Sequence, residues 1–239
     1  MSFTEDLTVM PSDPKAVCHL IRRFLANWQV LEVGEAPLPG AEEEVLLAER
    51  RLGFALPVAL RWVFTHLGAE NQVIGAQDPL VPPSLLRVDE DNVLVYRTEN
   101  QNCASWGIRR EDIGKADPPV VWKNLQADAE EGWLRYHDRV SVDLLEMSMS
   151  EAMLTAGEQV IQMEIESGLP VLPRGLVPLA IPEHVFWPVP DGAPVRWYGI
   201  AECVIRNDGD TWLWGFGRAS ADLDVARSAL PGPWESLAE

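Results

Sequence analysis

The chain has 239 residues, 47% of them hydrophobic and ten of them tryptophan, enough for a packed core, which excludes a largely disordered chain. Its formal net charge of −18 excludes the basic surface that nucleic acids and anionic membranes require. No apolar run approaches the ~18–20 residues of a membrane-spanning helix.

Residues 1–12 read as a loose arm. Glu5 and Asp6 lie in it, and it has neither a basic start nor an apolar run, so it does not read as a secretory signal. Ser12 or Asp13 can cap a helix whose first turn holds Pro14. Val17, Leu20, Ile21, Phe24, Leu25 and Trp28 then mark one apolar face and predict a helix over 14–28. A loop with Pro37 and Pro39 follows. Glu42, Glu43 and Glu44 open a second helix at its positive end, predicted over 41–52 with Val45, Ala48 and Leu52 inward. Gly53 stands where a left-handed residue closes a helix. Pro57 can start a third over 57–67, with Leu60, Val63, Phe64 and Leu67 inward and Gly68 closing it.

After Gly68 the period changes from 3.6 to 2. Residues 73–75 are a short candidate strand. Residues 80–88, broken by Pro82 and Pro83, read as a loop or sheet edge. Residues 93–98 alternate, with Val93, Val95 and Arg97 on one face and Leu94, Tyr96 and Thr98 on the other. Residues 104–108 form a partner strand across the turn at 99–102, and 119–122 another. Residues 124–131 are an acidic loop, and 133–136 a short strand or irregular chain. Ser141 can cap a helix over 141–155, where a methionine-rich face reads as core filling. The proline-rich segment 157–194 is expected to be irregular. Strands at 195–205 and 211–216 flank Asn207-Asp208-Gly209-Asp210, a good hairpin turn. A last helix is expected over 221–230. These elements predict an α+β fold: a mostly antiparallel twisted sheet with helices at one face and end. A single compound domain over 1–239 is expected, the terminal hairpin and helix at 195–230 completing the same sheet.

Several of these pieces occur in a recognisable order. The glutamate-rich helix ends Leu52-Gly53, and a helix starts at Leu56-Pro57 and carries Leu60 to Phe64. A strand ends in Glu99-Asn100-Gln101, and Trp106-Gly107-Ile108 and Pro118-Pro119-Val120 follow. In that order they resemble the SUKH superfamily, the Smi/Knr-type proteins. The resemblance covers residues 41–122 and extends loosely to 155. Asn102 stands where the family turn has glycine, and asparagine also tolerates left-handed geometry. The resemblance implies a non-enzymatic binding protein. In bacteria such proteins look like immunity proteins that neutralise a toxin by covering it; in fungi, relatives act as interaction hubs.

The catalytic inventory is thin. His19, His66, His137 and His184 show no metal-ligand spacing, and no nucleophile elbow or phosphate loop is present. Cys18, Cys103 and Cys203 are far apart and odd in number, which points away from a disulfide framework and towards a reducing cytoplasm. No catalytic residue, metal or cofactor is expected. The acidity favours a basic protein partner, the cognate toxin in the immunity reading, drawn in by charge. The expected contact residues are Glu99, Gln101 and Trp106 beside the polar turn, with Asp128, Glu130 and Glu131 in the acidic loop. Two other readings stand beside this one: a regulatory or scaffold module binding an endogenous protein, and an enzyme or small-molecule binder with a pocket near Glu99 and Trp106.

Overall fold

The structure is a computed structural model and describes residues 3–69, 71, 75–126, 132–165 and 175–237. In chain order its helices are α1 (Phe3–Asp6), α2 (Pro14–Asn27), α3 (Ala41–Leu52), α4 (Val58–His66), α5 (Val140–Thr155) and α6 (Leu223–Ala229). Its strands are β1 (Arg87–Val88), β2 (Val93–Thr98), β3 (Ala104–Arg109), β4 (Val121–Asn124), β5 (Leu134–Arg135), β6 (Val160–Glu164), β7 (Val177–Pro178), β8 (Arg196–Ile200), β9 (Cys203–Asp208), β10 (Trp212–Gly217) and β11 (Glu235–Ser236). The mixed α+β class and the antiparallel pairing agree with the sequence. The predicted strand at 73–75 and the acidic residues of the 127–131 loop lie largely or wholly outside the described residues. Among the described residues no helix is long and apolar enough to cross a membrane.

The expectation of one sheet is corrected. Among the described residues there are two, and the chain divides into two compact units: Pro11–Leu25 with Leu31–Ala152, and Met1–Met10 with Ala26–Val30 and Met153–Glu239. The physical reason is the strand β6, hidden in a segment read as irregular. It pairs with β10 from Trp212 to Phe216, so the terminal hairpin finds its partner there and not in the first sheet.

In the first of these units the sheet is a meander, β1-β2-β3-β4-β5, each strand pairing with its sequence neighbour. Pairing neighbours in sequence keeps the loop-closure cost low. Gly53 and Gly68 take φ of +77 and +78, as helix-closing residues should. Helix α5 is buried from residue 140 to 153, as its mixed serine, methionine and leucine content allows. Its N-terminus is capped by Asp117, which accepts bonds from the Ser141 backbone N–H at 2.9 Å and hydroxyl at 2.6 Å. Ser141, read as the cap, is instead inside the first turn.

The strict alternation expected for β2 also fails. Register shifts between Val95 and Arg97, a bulge at Tyr96. Before it, Val93 and Val95 pack with Val121 and Trp133 on one face. After it, Arg97 pairs with Trp106 and joins Tyr96 on the opposite face. The bulge thus re-aims a charged side chain, as bulges commonly do.

In the other unit the sheet runs β11-β6-β10-β9-β8-β7. The stretch read as one strand over 195–205 is two, β8 and β9, joined by a turn at Ala201, where φ is +50. The loop after Asp208 holds Gly209 and Asp210, both at positive φ, and Asn207 and Asp210 bond to each other across it. One sheet face packs Ile161, Met163, Ile205 and Leu213 with Leu223, Ala226 and Leu230. The N-terminal arm is not loose. Phe3 and Leu7 are buried, and Phe3 meets the Trp28 ring edge-on at 5.3 Å.

Gly107 shows why the motif on β3 holds a glycine. A Cβ there would collide with the Val93 side chain and lie 2.8 Å from the Leu94 carbonyl oxygen, both on the paired strand. Gly107→Ala should therefore destabilise the protein by roughly 1–3 kcal/mol, read from urea unfolding. An unchanged midpoint would mean that the β2–β3 approach is looser than described.

Candidate functional site

The six expected contact residues fare differently. Glu99 is 2% exposed and closes its own turn. One carboxylate oxygen accepts the backbone N–H groups of Gln101 at 2.8 Å and Cys103 at 3.0 Å, and the other accepts the Gln77 side-chain amide at 2.9 Å. Asn102 takes φ +59, supplying the left-handed step that a family glycine would. Trp106 is wholly buried, because β3 is the central strand of its sheet and its ring lies under Arg97 and beside Trp122. Gln101 alone of the three offers its side chain to solvent. Asp128, Glu130 and Glu131 lie outside the described residues. The expectation that Glu99 and Trp106 form a contact surface is corrected: both side chains are held inside the fold.

What sequence reasoning missed is the polar cluster beneath that turn. Arg97, 2% exposed, donates to Asp78 at 2.7 Å and lies 3.9 Å from Asp143. Its guanidinium sits 4.3 Å from the centre of the Trp106 ring. Tyr96 donates to the other Asp143 oxygen at 2.5 Å. One turn pair further along α5, Glu151 accepts the backbone N–H groups of Gln77 at 2.8 Å and Asp78 at 3.0 Å. Burial alone would weaken the charge on Arg97, but Asp78 and Asp143 more than offset it and hold it ionised. Burial and the Asp143 charge push the Tyr96 hydroxyl well above its ordinary range, so it stays a donor. The available signal was lone charges in apolar runs: Arg97 in VLVYRT, and Asp143 and Glu151 within α5.

A second feature is concave. A cavity of about 310 Å³ is lined by Lys15, Cys18 and His19 of α2, Glu42 of α3, Leu56, and Val58, Arg61, Trp62, Thr65 and His66 of α4. Two α4 residues one turn apart, Trp62 and His66, stack with centroids 5.0 Å apart and planes at 15°. His66 Nδ1 lies 3.1 Å from the Trp62 carbonyl oxygen and 2.9 Å from the Thr65 hydroxyl, contacts that hold the ring against Trp62. Arg61 is fixed by Glu49 at 2.7 Å. Burial, with Asp117 and Asp13 adding to it, pushes the Cys18 thiol up to about 12, so it is a neutral apolar wall and not a nucleophile.

A third feature is convex. On α3, Val45 and Ala48 point inward. The residues at i, i+3, i+4 and i+7 on the other side are Glu43, Leu46, Leu47 and Arg50, all exposed. Leu46 and Leu47 are 43% and 53% exposed, a second apolar stripe that no core contact explains. The 3-10 turn Pro83–Leu85 packs against α3 and adds Leu85, also exposed. Arg51 ties that turn down by donating to the carbonyls of Leu86 at 2.7 Å and Pro83 at 3.0 Å.

No protein-family model, curated protein or solved structure matches the chain.

The polar cluster generates a pH dependence. Burial raises the Glu151 pKa, against the opposing pull of Arg97 and the Gln77 N–H. A carboxylate whose folded pKa exceeds its unfolded value favours folding most when protonated, so that contribution is present at low pH and lost as pH rises through the folded value. Wild type measured against Glu151→Gln should therefore lose relative stability as pH climbs out of the ordinary carboxylate range, and level off above the folded pKa. A difference in unfolding free energy that stays flat across that window would contradict it.

Proposed function

We propose that this chain is a protein-binding domain of the SUKH kind whose partner is a basic protein, and that it serves as an immunity protein, neutralising a toxin by covering it. The outer face of α3 carries the reading. A soluble helix buries one apolar stripe; this one has a second, on its solvent side, beside Glu43 and Glu44. Exposed leucines rimmed by carboxylates suit a partner that brings apolar anchors and positive charge. The same helix lies inside the segment that carries the family resemblance.

Charge and contact would divide the work. A net charge of −18 accelerates encounter with a basic protein, and acidic residues at the rim contribute speed more than affinity. The leucines would supply the desolvated centre that slows dissociation. The cytoplasm suits this role, where the three free cysteines stay reduced.

The test is to co-express the chain with the protein encoded beside it, isolate the complex, and measure kinetics on variants. Leu47→Asp should raise Kd about thirtyfold or more, through faster dissociation, with the melting temperature unchanged because the side chain is outside the core. Reversing Glu43 and Glu44 to lysine should slow association and flatten its salt dependence. Wild-type binding by Leu47→Asp would remove α3 from the interface, and the lack of any complex would overturn the immunity reading.

A further inference from the structure

The cleft between α2, the start of α3 and α4 has features of a small-molecule site. Its volume of about 310 Å³ is that of a compact organic ligand. Leu56, Val58, the Trp62 indole and the neutral Cys18 thiol provide apolar wall. Arg61 is neutralised by Glu49, which also accepts the Leu56 backbone N–H at 2.9 Å, so this side of the cleft is fixed. The stacked Trp62 and His66 rings form a flat surface on this side of the cleft.

Two charges remain. Lys15, in the first turn of α2, and Glu42, in the first turn of α3, both line the cleft, and neither makes an ion pair among the described residues. They have opposite sign, stand on different helices and do not join to each other. An apolar cleft with one unpaired cation and one unpaired anion complements a molecule that is itself apolar, cationic and anionic.

We propose that this cleft binds a free amino acid with an aromatic or branched apolar side chain. Its carboxylate meets Lys15, its ammonium meets Glu42, and its side chain packs on Leu56, Val58 and the Trp62 face. The site is separate from the exposed face of α3, since Glu43, Leu46, Leu47 and Arg50 do not line it. It therefore stands or falls apart from the protein-binding reading.

The experiment is a titration of the full chain with L-phenylalanine, followed by amide and indole NMR shifts. Phenylacetate, which lacks the ammonium, and phenethylamine, which lacks the carboxylate, are titrated alongside. Saturable shifts are expected at the Trp62 indole and along residues 15–19 and 56–66. Lys15→Gln and Glu42→Gln, both at exposed helix positions, should keep a folded spectrum and each weaken L-phenylalanine binding about tenfold or more, as should either truncated ligand. The proposal is overturned if L-phenylalanine gives no saturable shift, if either truncated ligand binds as well as the amino acid, or if both charge variants bind like wild type.

Discussion

A guanidinium removed from water is tolerated only where carboxylates take over the work of its hydration shell. Arg97 is such a group: Asp78 accepts from Nη2 at 2.7 Å, and Asp143 lies 3.9 Å from Nη1 as an ion pair without a hydrogen bond. Asp78 comes from the loop before the sheet and Asp143 from α5, so a single side chain ties three pieces of chain together. The Tyr96 bulge places the guanidinium on that face. Trp106 supplies a flat ring beneath it. Glu151 holds the backbone of the same loop, and Gln77 of that loop reaches the Glu99 carboxylate. The polar turn at 99–102 is thus the outer end of a chain of bonds that begins on the buried helix.

This arrangement explains which parts of the fold were legible in the sequence. The helices α2 to α5 were, to within a residue or two, because their apolar spacing and their Gly and Pro boundaries are local signals. The strands β2 and β3 were legible for the same reason. The bulge was not: strand geometry alone sends successive side chains of VLVYRT to opposite faces, and only a pairing register shows where one residue is left over. The strand β6 was missed because VIQME lies at the edge of a proline-rich stretch whose composition dominated the reading. Missing it made one sheet out of two.

The candidate site was misread for a related reason. Glu99 and Trp106 were chosen because a polar turn between strands is usually exposed. Here the turn folds back on its own carboxylate, and the tryptophan sits on a central strand. What the sequence did contain was the outward stripe of α3. Leu46 and Leu47 are one step off the inward positions Val45 and Ala48, and the helical pattern singled out only the inward positions. Only the folded structure separates a leucine that packs in the core from one that faces solvent. The acidic residues divide the same way: Asp78, Asp143 and Glu151 are buried structural groups, while Glu42, Glu43 and Glu44 face solvent and give the molecule its outward charge.

The claim on which this account rests is that Arg97 and Asp143 act as one unit joining β2 to α5. A double-mutant cycle with Arg97→Met and Asp143→Asn, read by urea unfolding, measures it directly. Breaking a buried pair from either side leaves a charge uncompensated, so each single variant should lose about 3–5 kcal/mol. Once one partner is gone the second loss costs less, so the double variant should fall short of the sum by about 2 kcal/mol or more. Single losses that add within about 0.5 kcal/mol would mean that the two groups are held independently, and that the fold does not depend on their meeting.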